Sequence, residues 1–319
     1  MKKAILFFLL IVTSTYSQIS GCTDSSAKNF NPNATNNDGS CLYSNAKIKP
    51  ESILKLSDSL RETSGLMAFD HLLWTHNDDH DTTIYGLDSN GKIQKKIKLN
   101  NVNNTDWEEI SQDDTHIYIG DFGNNSQGNR TDLHILRIEK KSFLMNQPAV
   151  DTISFSYSNQ TDFTPKKSNT TDFDCEAFVI SQDSIYLFTK QWSHKQTSVY
   201  VLPKINGKHI AQLKETLKVE GLITGATLLA SEKGIVLCGY TKKLKPFLYL
   251  LHDYKNHDFS TGNQRRIKLS MPFHQVEGIA SFDGKVFYLT NESFIRKPVI
   301  NIPQQIHTFD LSSYLNRLP

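Results

Sequence analysis

The sequence predicts an all-β fold of the β-propeller type. One short phrase returns along the chain, each time opening a run of β-forming residues, at Glu62–Leu66, Trp107–Ile110, Cys175–Phe178, Ile223–Ala226 and Val276–Ile279. A second run of β-formers follows each copy after a polar turn, at Leu72–Thr75, His116–Ile119, Ser184–Phe188, Gly234–Leu237 and Lys285–Leu289. A repeat of roughly 45 to 70 residues built from short strands is typical of a radial array of small sheets, which is a propeller.

The first blade shows the predicted four-strand pattern. Its inner strand a starts at Ser64, strand b covers Leu72–Thr75, strand c covers Thr83–Leu87 and strand d covers Lys92–Leu99. A hairpin turn at Asp88–Gly91 separates c from d. The next three blades are predicted over residues 107–157, 175–219 and 224–269.

The last blade is one strand short. It has strands a and b and a third strand at Gln305–Phe309, and nothing after them reads as a fourth. The early strand Ile53–Leu56 can supply it, which would tie the two ends of the domain together and remove an open sheet edge. Counting strands favours five blades. Six blades stay possible, and would need a degenerate blade within Ser158–Asp174.

Length and charge set further limits. The 319 residues suffice for one large all-β domain with a small appendage. A formal net charge of +2, with lysines and arginines scattered, argues against a nucleic-acid-binding protein, which needs a basic face. We expect a monomer.

The N-terminus has the pattern of a secretory signal peptide. Lys2 and Lys3 precede the apolar run Ala4–Val12, and Thr15–Ser17 suits cleavage by signal peptidase. The alternative is a lipoprotein, because Ile19–Cys22 resembles a lipobox with Cys22 as the lipidated residue. Both predict an exported protein, periplasmic or secreted in the first case and membrane-anchored in the second. No later segment is long and apolar enough to cross a membrane.

Four cysteines remain in the exported chain. Cys22 and Cys41 bracket a compact Asn- and Asp-rich segment, and we predict a disulfide between them. Cys175 begins an inner strand and Cys238 ends another strand. They are predicted either as buried free thiols or as a second disulfide between neighbouring blades.

The chain is thus divided into a signal peptide (1–17), a small disulfide-closed module (18–43), a linker (44–50) and the propeller (51–319). Gly21–Tyr43 resembles a short module of exported proteins of Bacteroidetes-type bacteria, with the pattern G-C-x-D-x-x-A-x-N-Y-x-P-x-A-x-x-D-D-G-S-C. The resemblance implies an adaptor and no activity. Oxygen donors spaced along this module fit either a calcium ion or a series of Asx-turns, at Asn31, Asn33, Asn36 and Asp38.

Polar side chains are predicted to converge at one mouth of the central channel, because the starts of strands a and the ends of strands b share a face. The predicted cation ligands are Glu62, Asn77, Glu108, Glu109, Asp121, Asn124, Glu176, Glu277 and Asn291. The residues predicted to contact a ligand are Asp78, Asn125, Lys190, Tyr240 and Glu292. Crowded carboxylates need a counter-charge, which a calcium ion, Lys190 or shared protons can supply.

The blade phrases also resemble known families. E-x-S-G-L, D-W-E-E-I, G-D-x-G-N-N, E-A-F and V-E-G-I are similar to phrases of SdiA-regulated propellers and, more distantly, of the regucalcin/gluconolactonase and NHL-like superfamily. The gluconolactonase relatives are six-bladed calcium-dependent lactonases. That resemblance implies cation ligands at Glu62, Asn77, Asn124 and Asn291.

The residues predicted at this mouth of the channel lead to three functional hypotheses. The leading hypothesis is an exported protein that binds a cation and, through it, a polar small molecule, a glycan or an envelope protein. The alternative is a calcium-dependent hydrolase of lactone or phosphoester bonds, with Glu109 as general base. The third is a structural scaffold in which the repeated glutamates accept backbone N–H bonds between blades. No G-x-S-x-G elbow or Gly-rich phosphate loop indicates other chemistry.

Overall fold

The computed structural model of the chain describes residues 18–229 and 234–315. The predicted signal peptide lies outside this part of the chain. The described residues form an all-β, propeller-like fold with several small sheets. Within them, no helix combines the length and the apolar character needed to cross a membrane.

The N-terminal module is small and closed by the predicted disulfide between Cys22 and Cys41. Its two short strands, β1 (Ser20–Gly21) and β2 (Asn36–Asn37), pair in parallel. Two of its polar side chains form Asx-turns, because Asn31 Oδ1 accepts from the amide of Asn33 and Asp38 Oδ1 from that of Ser40. Asn36 Oδ1 accepts instead from the ammonium of Lys255. Calcium binding by this module stays a prediction.

Two strands follow the module, β3 (Ala46–Ile48) and β4 (Ser52–Lys55). The segment predicted as a linker therefore contains β3, which pairs in parallel with the last strand of a sheet at Ile267–Leu269. That strand would otherwise leave its backbone groups unpaired at a sheet edge, which explains why the segment is ordered against it.

Five antiparallel four-strand units make up most of the described chain. The first is β5 (Thr63–Phe69), β6 (Leu72–Asn77), β7 (Thr83–Leu87) and β8 (Ile93–Lys98). The second is β9 (Trp107–Gln112), β10 (His116–Asp121), β11 (His134–Glu139) and β12 (Val150–Tyr157), with the helix α1 (Lys140–Leu144) before β12. The third is β13 (Cys175–Ser181), β14 (Ser184–Thr189), β15 (Thr197–Pro203) and β16 (Gly207–Leu217).

The fourth unit is β17 (Leu222–Leu228), β18 (Gly234–Tyr240), β19 (Pro246–His252) and β20 (Asn263–Leu269). The fifth begins with β21 (Val276–Ser281) and β22 (Val286–Asn291), continues through a hairpin of β23 (Phe294–Arg296) and β24 (Ile300–Ile302), and ends with β25 (Gln305–Asp310). The short helix α2 (Ser312–Leu315) follows. Units two and three are joined into one sheet, because β12 and β16 pair in parallel.

The fifth unit takes its fourth strand from the beginning of the chain. β4 pairs antiparallel with β25, with Leu54 opposite Ile306 and Ser52 opposite Thr308. This is the pairing that the sequence predicted for Ile53–Leu56. Residues 158–174, which a sixth blade would have to occupy, are all described and contain no strand.

The first strands of the units lie side by side around a common axis. β5 contacts β9 and β21, β13 contacts β9 and β17, and β17 contacts β21. Glycine in the repeated phrase allows this approach. A Cβ added at Gly65, whose φ is +64°, would lie 2.7 Å from the amide nitrogen of Ile110, and one at Gly278 would lie 2.6 Å from the carbonyl carbon of Gly65. The glycines therefore permit the units to meet at the axis.

Apolar side chains fill the space between neighbouring units. Trp74, Trp107 and Phe143 are fully buried in the layer that joins units one and two. Cys175 and Cys238 are both buried free thiols, so of the two predicted states the structure shows the unpaired one.

Buried His307 on β25 makes stability depend on pH. Its Nε2 donates to Asn291 Oδ1 at 2.7 Å, and burial lowers its pKa to about 3. The unfolded chain takes up a proton near pH 6.5 and the folded chain does not, so this contribution to stability is present at pH 7 and is lost as the pH falls from about 6.5 towards 3. We expect the free energy of unfolding, measured by urea titration, to be about 2 kcal/mol lower at pH 5 than at pH 7 because of this group alone.

The matched variant for the comparison of pH 7 with pH 5 is His307→Gln. Its side chain keeps an N–H donor for Asn291 but takes up no proton in this pH range. Its loss of stability between pH 7 and pH 5 should be smaller than that of the wild type by the same amount. An equal loss in both proteins would show that His307 is not buried in its neutral form.

Candidate functional site

A β-bulge recurs near the start of the first strands and turns one side chain out of the regular pairing in four of the units. In three of them the residue left unpaired is a glutamate, namely Glu108, Glu176 or Glu277, and in unit four it is Thr224. In unit one Ser64 aligns with Glu108 in the repeated phrase, but it pairs with His76 and the register shift follows it. Bulges re-aim side chains, and here they direct three glutamates to one end of the axis.

The glutamates and the hydroxyl residues at this position behave differently. Ser64 Oγ donates to the carbonyl of Glu108 at 2.7 Å, and Thr224 Oγ1 donates to the carbonyl of Val276. These two hydroxyls tie neighbouring units together. The carboxylates of Glu108 and Glu277 form no hydrogen bond or ion pair with any described residue, although each of these residues is only 6% exposed.

A polar cavity of about 190 Å³ opens at this end of the axis. Residues that precede or begin first strands and residues that end or follow second strands line it together. The lining consists of Ser64, Asp78, Asp106, Glu108, Asn125, Asn169, Glu176, Lys190, Trp192, Tyr240, Gln275, Glu277 and Glu292. The structure therefore brings together eight of the predicted site residues, which are Asp78, Glu108, Asn125, Glu176, Lys190, Tyr240, Glu277 and Glu292.

The most buried group of carboxylates at this site is the inner cluster of Glu108, Asp174 and Glu176, in which Asp174 lies behind the cavity lining. One carboxylate oxygen from each lies within 4.8 Å of the others, and all three residues are buried. Asp174 is held in place by two donors, the amide of Asn124 at 2.6 Å and the indole Nε1 of Trp192 at 2.7 Å. Glu176 Oε1 is buried without a hydrogen-bond partner among the described residues.

A single lysine is the cation of the cavity lining. Lys190 Nζ lies 2.9 Å from Glu176 Oε2 and sits over the rings of Trp192 (4.9 Å) and Tyr240 (5.4 Å). Burial acts to lower the pKa of Lys190, but Glu176 and the other nearby anionic groups outweigh it and raise that pKa well above the ordinary value. The ammonium is therefore a fixed charge and not a proton donor at neutral pH.

The carboxylates are held in conditions that disfavour their ionised forms. Burial first, and neighbouring carboxylates second, raise the pKa of Glu108 well above its ordinary value. Burial also raises the pKa of Glu176 and Glu277, and Lys190 acts against the shift. Nearer the opening, burial and the charge of Glu292 raise the pKa of Asp78 to about 8. The single ammonium of Lys190 thus does not offset all the carboxylates of the cavity lining.

Glu109, the predicted general base, lies elsewhere. Its Oε1 accepts from the amides of Ile110 at 3.0 Å and Leu66 at 3.3 Å, and its Oε2 accepts from the amide of Ala226 at 2.7 Å. It is fully buried and does not line the cavity. One side chain thus joins units one, two and four, which is the structural role that the sequence left open for the repeated glutamates.

Other predicted ligands are also engaged away from the cavity. Asp121 accepts from Arg130 at 2.7 Å, and Asn124 Oδ1 accepts from the amide of Arg130 at 3.0 Å. Asn77 Nδ2 donates to the carbonyl of Ser59, and Asn291 Nδ2 to that of Pro303. These side chains hold loops. Three of the four ligands implied by the lactonase resemblance, Asn77, Asn124 and Asn291, therefore do not meet in this cavity.

Glu62 occupies a third position, at the rim. It is exposed and lines a shallow cleft beside the cavity, but one of its oxygens lies within 4.8 Å of oxygens of Asp78 and Glu292. Glu62 is thus not the equivalent of the bulge glutamates in the repeated phrase, since Ser64 is the residue that corresponds to Glu108.

The sequence reasoning missed Asp106 and Asp174. Both stand two residues before a bulge glutamate, in the same D-x-E arrangement, Asp106–Glu108 and Asp174–Glu176. Asp106 is the first residue of the phrase D-W-E-E-I but was not assigned to the site, and Asp174 lies one residue before the phrase that starts at Cys175. Aligning the phrases one position earlier would have found both aspartates.

Comparison with known proteins leaves the chain without a family. No family model matches it, and no curated protein matches it significantly. Similar solved structures include a streptogramin B lyase (12% identity, TM-score 0.39, 81% of this chain and 72% of that chain). Another is a putative 6-phosphogluconolactonase from Bacteroides uniformis (14% identity, TM-score 0.38, 79% of this chain and 72% of that chain). A third is a putative glucose dehydrogenase from Thermus thermophilus (7% identity, TM-score 0.45, 81% of this chain and 99% of that chain). Function therefore has to be inferred from the cavity.

Proposed function

We propose that the cavity binds a divalent cation, calcium, at the inner cluster, and that a polar ligand or partner binds at this end of the axis through the bound ion. The observation that carries the proposal is the inner cluster itself. It brings three buried carboxylates within 4.8 Å of one another, and Glu108 has no donor among the described residues. Buried carboxylates without donors are stabilised by a cation.

The residues fit calcium in type and spacing. Calcium takes oxygen ligands at roughly 2.3–2.6 Å, and a point between three atoms spaced this way lies within about 2.8 Å of each. Glu176 Oε1 is free to coordinate while Oε2 keeps its bond to Lys190. The donors on Asp174 fix its orientation, as hydrogen bonds behind a ligand do in metal sites.

Lys190 alone does not balance the cavity. Its ammonium faces six lining carboxylates, those of Asp78, Asp106, Glu108, Glu176, Glu277 and Glu292. Shared protons are the remaining alternative to a metal ion. They would leave Glu108 and Glu277 as neutral acids whose hydroxyls need acceptors.

Blade number and cellular location are proposals of the same kind. We propose that the five units are the blades of a five-bladed propeller and that the protein is exported, either periplasmic or secreted, since the disulfide with Cys41 leaves no Cys22 thiol for a lipid anchor. The disulfide supports an oxidising compartment. The partner at the mouth would be a polar small molecule, a glycan or an envelope protein.

One observation favours a hydrolase as the second candidate. The fixed ammonium of Lys190 lies beside the inner cluster, where it would stabilise negative charge developing on an ester oxygen. The base would be a cavity carboxylate other than Glu109. Turnover of a chromogenic lactone or phosphoester that requires both calcium and Lys190, with loss in Lys190→Gln, would favour this candidate over a binding protein.

We expect calcium to bind the wild-type protein and stabilise it by about 2.7 kcal/mol at a hundredfold excess over the dissociation constant. Glu108→Gln should weaken that binding, because it removes one charged ligand and keeps the shape. Isothermal titration calorimetry and thermal unfolding with and without calcium measure the two effects.

The control is Glu139→Gln, an exposed glutamate before α1 whose side chain makes no capping bond. It should bind calcium like the wild type. Without calcium, Glu108→Gln should be more stable than the wild type, because it removes a buried charge that burial disfavours. A Glu108→Gln protein that is less stable without calcium and binds it normally would assign Glu108 to the scaffold.

A further inference from the structure

A second group of carboxylates lies at the opening of the cavity. Oxygens of Glu62, Asp78 and Glu292 lie within 4.8 Å of one another, and we call these residues the rim cluster. Asp78 and Glu292 follow the ends of β6 and β22, and Glu62 precedes β5. Units one and five therefore build the rim cluster, whereas units two and three build the inner cluster.

A buried carboxylate without a hydrogen-bond partner lines the cavity together with this cluster. Glu277, in the bulge of β21, is 6% exposed, lines the same cavity and is hydrogen-bonded to no described residue. Its strand β21 pairs with β22 and contacts β5, the two strands that flank Glu292 and Glu62 of the rim cluster. In addition, Asp78 Oδ1 is buried without a hydrogen-bond partner in the described structure.

We propose that the rim cluster and Glu277 form a second cation site, so that the cavity holds two calcium ions. The proposal rests on the proposed function and extends it. Glu108 and the unpartnered Glu176 Oε1 belong to the inner cluster, and the unpartnered Asp78 Oδ1 belongs to the rim cluster, to which we assign Glu277. One divalent ion and Lys190 together would compensate only half of the six lining carboxylates.

The two sites differ in access to solvent. The inner carboxylates are buried, whereas Glu62 is exposed and Asp78 and Glu292 are partly exposed. An ion at the rim would keep water molecules and positions open to a ligand, and it would exchange more readily. The rim ion is therefore the one that meets the polar ligand, and the inner ion fixes the units around it.

Calorimetric titration of the full chain with calcium tests the proposal. The wild type should bind two ions with different affinities, and Glu292→Gln should bind one with the affinity of the tighter site. Asp78→Asn should act in the same way. Glu139→Gln should bind two ions.

Terbium luminescence excited through tryptophan separates the sites. The indole Nε1 of Trp192 donates to Asp174 of the inner cluster, so an ion bound there is sensitised by this ring. The signal at low terbium concentration should survive in Glu292→Gln and be lost in Glu108→Gln.

The results that would contradict the proposed sites differ from one another in how many ions bind and to which variants. A wild type that binds one ion, with Glu292→Gln and Asp78→Asn titrating like it, overturns the rim site and leaves the inner site standing. Loss of the tight site in Glu292→Gln would show that the two clusters form a single site. Absence of calcium binding in the wild type overturns both proposals. Calcium binding that persists when Glu108→Gln and Glu292→Gln are combined would place the ions elsewhere.

Discussion

Deletion of β4, Ser52–Lys55, is expected to cost on the order of 4 kcal/mol and to remove the sharp unfolding transition. β4 is the fourth strand of the fifth unit and its four residues pair with β25. Their loss exposes the backbone of β25 at about 1 kcal/mol of net stability for each hydrogen bond, and it opens the ring between units one and five. Thermal unfolding followed by circular dichroism measures the change.

The matched control is deletion of β3, Ala46–Ile48. This strand also comes from the N-terminal part of the chain, but it is added outside a unit that is already complete. It should lower the melting temperature less than the β4 deletion does. If the β4 deletion keeps the wild-type melting temperature, β4 does not close the fold.

Glu109→Gln is expected to destabilise the protein by about 3 kcal/mol. The wild-type carboxylate accepts three amides from three units, and the variant places an N–H donor against one of these amide donors. A buried donor left without an acceptor retains its full desolvation cost. Urea unfolding at pH 7 measures the loss.

Calcium titration of Glu109→Gln distinguishes a structural role of Glu109 from a role as cation ligand. Glu109→Gln should keep the calcium affinity of the wild type as long as it is folded, because Glu109 does not line the cavity. Glu139→Gln should change stability by less than about 0.5 kcal/mol, as exposed substitutions do. Normal stability with lost calcium binding would make Glu109 a cation ligand after all.

The adjacent pair Glu108 and Glu109 shows what sequence reasoning could reach and where it stopped. The repeat, the strand order and the closure by β4 depend on hydrophobic alternation and turns, which are local and visible in the sequence. Which of two neighbouring glutamates faces the cavity depends on a β-bulge that shifts the register by one residue. A shift of one residue changes the side of every following side chain, and nothing in the phrase itself marks it.

The predicted asparagine ligands do not line the cavity for a different reason. Asn77, Asn124 and Asn291 stand at or just after the ends of second strands, as predicted. Their side-chain amides donate to the backbone carbonyls of Ser59, Phe173 and Pro303, respectively. Amide side chains satisfy backbone groups more often than they bind ions, and a sequence does not show which backbone group is within reach. Lys190, Tyr240 and Glu292 do line the cavity.

Diffraction from calcium-loaded crystals, with an anomalous difference map, tests the proposed calcium site most directly. We predict a peak among the carboxylates of Glu108, Asp174 and Glu176, with Glu176 Oε1 coordinating and Lys190 still bonded to Oε2. A map with no peak in the cavity, in which Glu108 and Glu277 are hydrogen-bonded to neighbouring side chains, would contradict it. The carboxylates would then share protons, and the repeated glutamates would belong to the scaffold.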